Sequence, residues 1–185
     1  RARSFSDEDT TISEHSLTAN AGASPILQLS NIFDGVILRK EFSRVLVRFS
    51  LSSLTGGITT KDYPDPITNT SISAYLYMFN APHGDVQAQS FDLNIHPITQ
   101  AWDEGAGLDL DSLSQTGYAN AVSAQSSVAW TTTGGTYVVD SNSATQNFNT
   151  GEENLRVNVT NIFNAWMNGT TANYGLIIKM SDANE

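Results

Sequence analysis

The chain has 185 residues, within the ~100–200 expected of one domain, and a domain near this size buries roughly 70% of its unfolded surface. Nine Lys and Arg stand against 19 Asp and Glu, a formal net charge of −10 that excludes nucleic-acid binding through a basic surface. A 39% apolar content excludes disorder, the lack of cysteine excludes thiol chemistry, disulfides and cysteine-ligated zinc, and no apolar run approaches the ~18 residues that span a membrane.

Period-two alternation dominates, the mark of strands with one buried face. In chain order, weak strands are expected over Thr10–Leu17 and Ile26–Phe33. Val45, Val47, Phe49 and Leu51 then alternate with Arg44, Leu46, Arg48 and Ser50. Ile72, Ala74, Leu76 and Met78 alternate with Ser73, Tyr75, Tyr77 and Phe79, and Phe91, Leu93 and Ile95 with Asp92, Asn94 and His96. A weak strand follows at Tyr137–Asp140; Leu155, Val157 and Val159 alternate with Arg156, Asn158 and Thr160. The last strand is Gly175–Met180. One short helix is expected near the C-terminus: Thr160 as its cap, Ile162, Phe163 and Trp166 on one face, Asn168-Gly169 as its end.

Gly-Gly and Pro-containing breakers separate these runs, and two connections are long: Thr55–Asn69 and 105–130. About eight strands and one helix predict an all-β fold, an antiparallel β-sandwich of jelly-roll type, as a single domain over 1–185 with 105–130 a long surface connection. The chain opens on Arg1 and stops just after a strand, so a segment of a longer chain is expected.

Chemistry-bearing residues are sparse. His15, His83 and His96 lack metal-ligand spacing; His83 falls at a turn tip and His96 on the outward side of its strand. Asp103, Glu104, Asp109 and Asp111 lie in the long connection. Oxygen ligands in a loop suit Ca²⁺, but the spacing is not that of an EF-hand, and the competing expectation is that Asp103 and Glu104 bond backbone amides beside a buried Trp102. Asp7, Glu8 and Asp9 read as a solvated run. There is no nucleophile elbow, no phosphate-binding glycine motif, and no carboxylate pair singled out for acid–base work, so no catalytic residue is assigned and no cofactor is expected. Sequons at Asn69, Asn158 and Asn168 matter only in a glycosylating host. Trp102, Trp130 and Trp166 read as core anchors.

The outward stripe of Tyr75, Tyr77 and Phe79 is the candidate binding surface. Its rings can stack on sugars, fill a protein interface, or lie beneath a long connection such as 105–130.

The run Phe42-Ser43-Arg44-Val45-Leu46-Val47-Arg48-Phe49, then Ala74-Tyr75-Leu76, Trp102-Asp103-Glu104-Gly105, Trp130 and Asn158-Val159-Thr160 through Trp166 and Gly169 to Gly175-Leu176, resembles DNRLRE-type domains in content and order. Those domains are similar to carbohydrate-binding jelly rolls of secreted or surface proteins. Asp7–Ser13, Ala21–Leu29, Tyr77–His83, Trp102–Asp109 and Gly134–Tyr137 resemble virion structural proteins of marine tailed phages, whereas Lys61–Pro66 does not align. The resemblance implies a non-enzymatic capsid-decoration or fibre-base module on a virion exterior, with other virion proteins or copies of itself as partners. The alternative is an extracellular carbohydrate-binding module that holds a glycan, such as one on a host surface.

Overall fold

The computed structural model describes residues 6–36, 38–50, 73–82, 87–110, 118–183 and 185. Thr55–Asn69, Ile72, His83 and Asp111 lie outside the described residues. The strands are β1 (Glu8–Ser13), β2 (Asn31–Asp34), β3 (Arg39–Arg48), β4 (Tyr75–Met78), β5 (Phe91–Pro97), β6 (Ser123–Gln125), β7 (Val128–Ala129), β8 (Ala144–Phe148), β9 (Leu155–Asn158) and β10 (Leu176–Met180); the helix is α1 (Thr160–Met167). Every described strand pairing is antiparallel, so the all-β class with one short helix is as the alternation predicts.

The main sheet runs β1-β3-β10-β5-β8, with β2 folded back along the start of β3. On one face stand Val45 and Val47 of β3, Leu93 and Ile95 of β5, and Leu176, Ile178 and Met180 of β10. They pack against Leu76, Leu155 and Val157 of the two-stranded β4–β9 sheet and against Ile162 and Trp166 of α1. Each such aliphatic side chain contributes roughly 1.5–3 kcal/mol when fully buried.

The opposite face is buried too. Ile12, Leu46 and Ile177 meet Ile98, Trp102, Ala119, Ala124 and Trp130, so the described parts of the chain between β5 and Tyr137, with its small β6–β7 ribbon, form a further layer. Trp102 donates its indole N–H to the carbonyl of Tyr174 at 2.7 Å, and Trp130 to that of Asn120 at 2.8 Å. With apolar cover on both sides, all five residues of β10 are buried and its pattern does not alternate.

This second layer corrects two expectations. Ala119, Ala124 and Trp130 of the long connection pack on the β3–β10 face, whereas Tyr75, Tyr77 and Phe79 stay exposed among the described residues. His96 does not face solvent: its ring stacks on Tyr137 with centroids 5.1 Å apart, and its Nδ1 lies 2.8 Å from the Ser143 hydroxyl. The same face holds an ionic cluster. Arg44 donates from Nε and Nη2 to the two Glu185 carboxylate oxygens at 3.0 and 2.8 Å, and buried Lys179 donates to Asp182 at 2.5 Å and Glu185 at 2.9 Å.

The first strand starts earlier and stops at Ser13; Ile26–Phe33 shrinks to β2; Tyr137 makes a lone bridge to Ile98. Polar β8 was not expected at all. Thr160 does not cap α1: Val159 is the N-cap, and the Thr160 hydroxyl instead accepts the Ala74 amide at 2.9 Å, tying α1 to β4. The helix end is as expected. Gly169 adopts φ +66, its N–H bonds the Trp166 carbonyl, and the Thr170 N–H reaches that of Ala165, which is a Schellman closure.

Candidate interaction surfaces

β4 and β9 pair with Leu76 opposite Val157 and Met78 opposite Leu155, which sends the apolar residues of both strands inward. The outward row is Tyr75 opposite Asn158 and Tyr77 opposite Arg156. Tyr75, Tyr77 and Phe79 are exposed as the alternation predicts, Phe79 to 83%. The two tyrosine rings lie 6.3 Å apart, tilted by 47°. The Arg156 guanidinium spans them, its carbon 4.9 Å from the Tyr75 centroid and 5.7 Å from that of Tyr77. Its Nε donates to the Tyr77 hydroxyl at 2.7 Å, a bond that raises the pKa of a group already charged at any relevant pH. The Arg156 backbone N–H donates to the Gln146 side-chain oxygen at 2.7 Å, and Gln146 donates to the Asn154 carbonyl at 3.0 Å, so β8 fixes β9 from the side. Two rings, a guanidinium and the Asn158 amide thus share one small, firmly backed face.

A second surface is one that the sequence does not predict. The β2–β3 hairpin carries Ile32, Phe33, Val36 and Leu38, all exposed; Phe33 is 63%, Val36 91% and Leu38 74% accessible. Ile32 and Phe33 are consecutive in a strand and point to opposite faces, so exposure of both means the hairpin projects from the body. Leu38 sits at φ +56, an uncommon conformation for a branched residue that shapes the turn. At the hairpin base, Ser30 and Ser43 bond each other at 3.0 Å and Arg44 lies over the Phe42 ring at 4.8 Å. Hydropathy alternation does not report such a unit, because Ile32 and Phe33 are adjacent where a one-sided strand would alternate, and both are unburied.

Two acidic residues of the long connection, Asp103 and Glu104, have structural partners. Glu104 accepts the Asp9 amide at 2.9 Å, joining β1 to the second layer; burial raises its pKa against that bond. Asp103 accepts from Gln125 at 3.0 Å. His15 contacts Glu41 at 2.6 Å. Among the described residues, no group of three His, Cys, Asp or Glu side chains is placed to hold a metal ion.

No protein family, curated protein or solved structure matches this chain in comparisons of sequence and fold.

Proposed function

We propose that the chain is a non-enzymatic structural module, a jelly-roll-type sandwich displayed on a virion exterior as a capsid decoration or fibre-base element, acting through protein–protein contacts. The observation that carries the contact reading is the projecting hairpin with Ile32, Phe33, Val36 and Leu38 exposed. Exposed apolar side chains grouped in one hairpin on a chain of net charge −10 favour docking over a bare existence in water. The sandwich behind them, buried on both faces of its main sheet, gives a stiff mount. The virion setting comes from the ordered motif resemblance.

The test is sedimentation of the purified chain, alone and with particles stripped of it, beside the double variant Phe33→Ser/Leu38→Ser. The wild type is expected to sediment as a multimer or with the particle, and the variant to stay dispersed with an unchanged circular dichroism spectrum. Equal association of both proteins, or turnover of a polysaccharide by the wild type, would overturn the reading.

A carbohydrate-binding module is the second reading, favoured by one observation: the exposed rings of Tyr75 and Tyr77 share their face with hydrogen-bonding Arg156 and Asn158.

A further inference from the structure

The outer face of β4–β9 carries one cation and no anion among its paired residues. The chain carries 19 acidic residues, yet the outward residues of this pair are Tyr75, Tyr77, Arg156 and Asn158, none of them acidic. Three other cations among the described residues meet carboxylates: Arg44 with Glu185, Arg48 with Glu8, Lys179 with Asp182 and Glu185. Among the described residues Arg156 has no carboxylate partner. Its Nε is committed to Tyr77 and its plane to the two rings, while Nη1 and Nη2 have no protein acceptor among the described residues. A guanidinium held in this way has lost much of its rotamer freedom before any ligand arrives, and its free fork matches a planar or tetrahedral oxyanion.

Face size decides the class of ligand. Among the described residues the face is two strands of four residues, ~14 Å long and ~10 Å wide, so its ~140 Å² falls well short of the ~800 Å² per partner that a stable protein interface needs but accommodates two or three sugar rings. Phe79, at the end of the row, offers an apolar ring surface, and the Asn158 side chain offers an amide. Repulsion from the net charge of −10 does not forbid an acidic ligand, because charges beyond the Debye length of ~8 Å at physiological salt are screened.

We propose that Tyr75, Tyr77, Phe79 and Arg156 form a binding site for an acidic polysaccharide, with Arg156 gripping a carboxylate or sulfate ester and the rings packing against the sugar. It rests on the carbohydrate reading of this face and is independent of the hairpin.

The experiment is affinity electrophoresis of the intact chain in gels containing alginate, carrageenan or neutral dextran. Alginate presents carboxylates and carrageenan sulfate esters, so the two arms separate the sources of the oxyanion. The wild type is expected to be retarded by at least one acidic polymer and not by dextran. Arg156→Gln lowers that affinity at least about tenfold, as loss of a charged hydrogen bond worth ~1.5–3 kcal/mol implies, and Arg156→Lys, which lacks the fork, does not restore it. Phe33→Ser/Leu38→Ser binds as the wild type does. Dextran retardation equal to that in alginate, abolished by Tyr75→Ala, would keep the carbohydrate reading and overturn the oxyanion assignment. Retardation unchanged in Arg156→Gln, or lost in the hairpin variant, would overturn the site, and no retardation in any gel would overturn both site and reading.

Discussion

Asn20 and Gly107 lock the second layer onto the body: the side-chain oxygen of fully buried Asn20 accepts the Gly107 amide at 2.8 Å, while its nitrogen donates to the carbonyls of Glu104 at 2.7 Å and Ala119 at 2.8 Å. One side chain therefore replaces the strand pairing that this irregular segment lacks. Asn20→Asp removes both donors and sets a carboxylate against two carbonyls. The expected loss is about 2–5 kcal/mol in urea unfolding. Gly107→Ala is also destabilising, since a Cβ there would lie 1.9 Å from the Asn20 carbonyl oxygen, whereas Gly35→Ala, which meets nothing within 4 Å, is neutral. Equal midpoints for the two glycine variants would refute the lock.

The tryptophans are buried alike but bonded differently. Trp102 donates to the Tyr174 carbonyl, and Arg48 lies 5.9 Å above its ring; the buried Trp166 N–H has no partner among the described residues. Trp102→Phe should therefore cost about 1 kcal/mol more than Trp166→Phe, by the value of one hydrogen bond. Trp166→Ala, which empties a site between α1 and the main sheet, should cost roughly 3–5 kcal/mol. Thermal or urea melts of the three variants decide the order.

His96 makes stability depend on pH. Burial, then the charge of Lys179, lowers its pKa from 6.5, against the opposing pull of Asp182, Asp140 and Glu185. The unfolded chain thus takes up the proton at higher pH than the folded one. The stability this confers is present above about 6.5 and falls as pH drops from there toward the lowered folded value. The melting temperature of the wild type should fall between about pH 7.5 and pH 5.5 more than that of His96→Gln. Parallel profiles would show that the folded ring takes up its proton at the same pH as the unfolded one.

Much of the fold was legible because alternation reports a one-sided strand. Val45 and Val47, Leu76, Leu93 and Ile95, and Leu155 and Val157 all point inward as read. What failed has a common physical origin. Leu46, His96 and Lys179 sit on a face that looks outward until a distant segment covers it, and nothing local in Ala119, Ala124 or Trp130 announces where that segment lands. The Ala144–Phe148 strand is polar because, among the described residues, it forms the edge of the main sheet and pairs with β5 alone. Tyr75, Tyr77 and Phe79 could be placed from spacing, but Arg156 joins them only through the register of β4 against β9, which one strand read alone does not contain.

Hydrogen exchange on the dispersed and the assembled chain tests the contact proposal most directly. Residues 31–42 of the β2–β3 hairpin should gain protection on assembly, while β10, already buried along its whole length, stays protected in both states. Assembly that leaves the hairpin as open to exchange as in the dispersed chain, or protects only surfaces remote from it, would contradict the account.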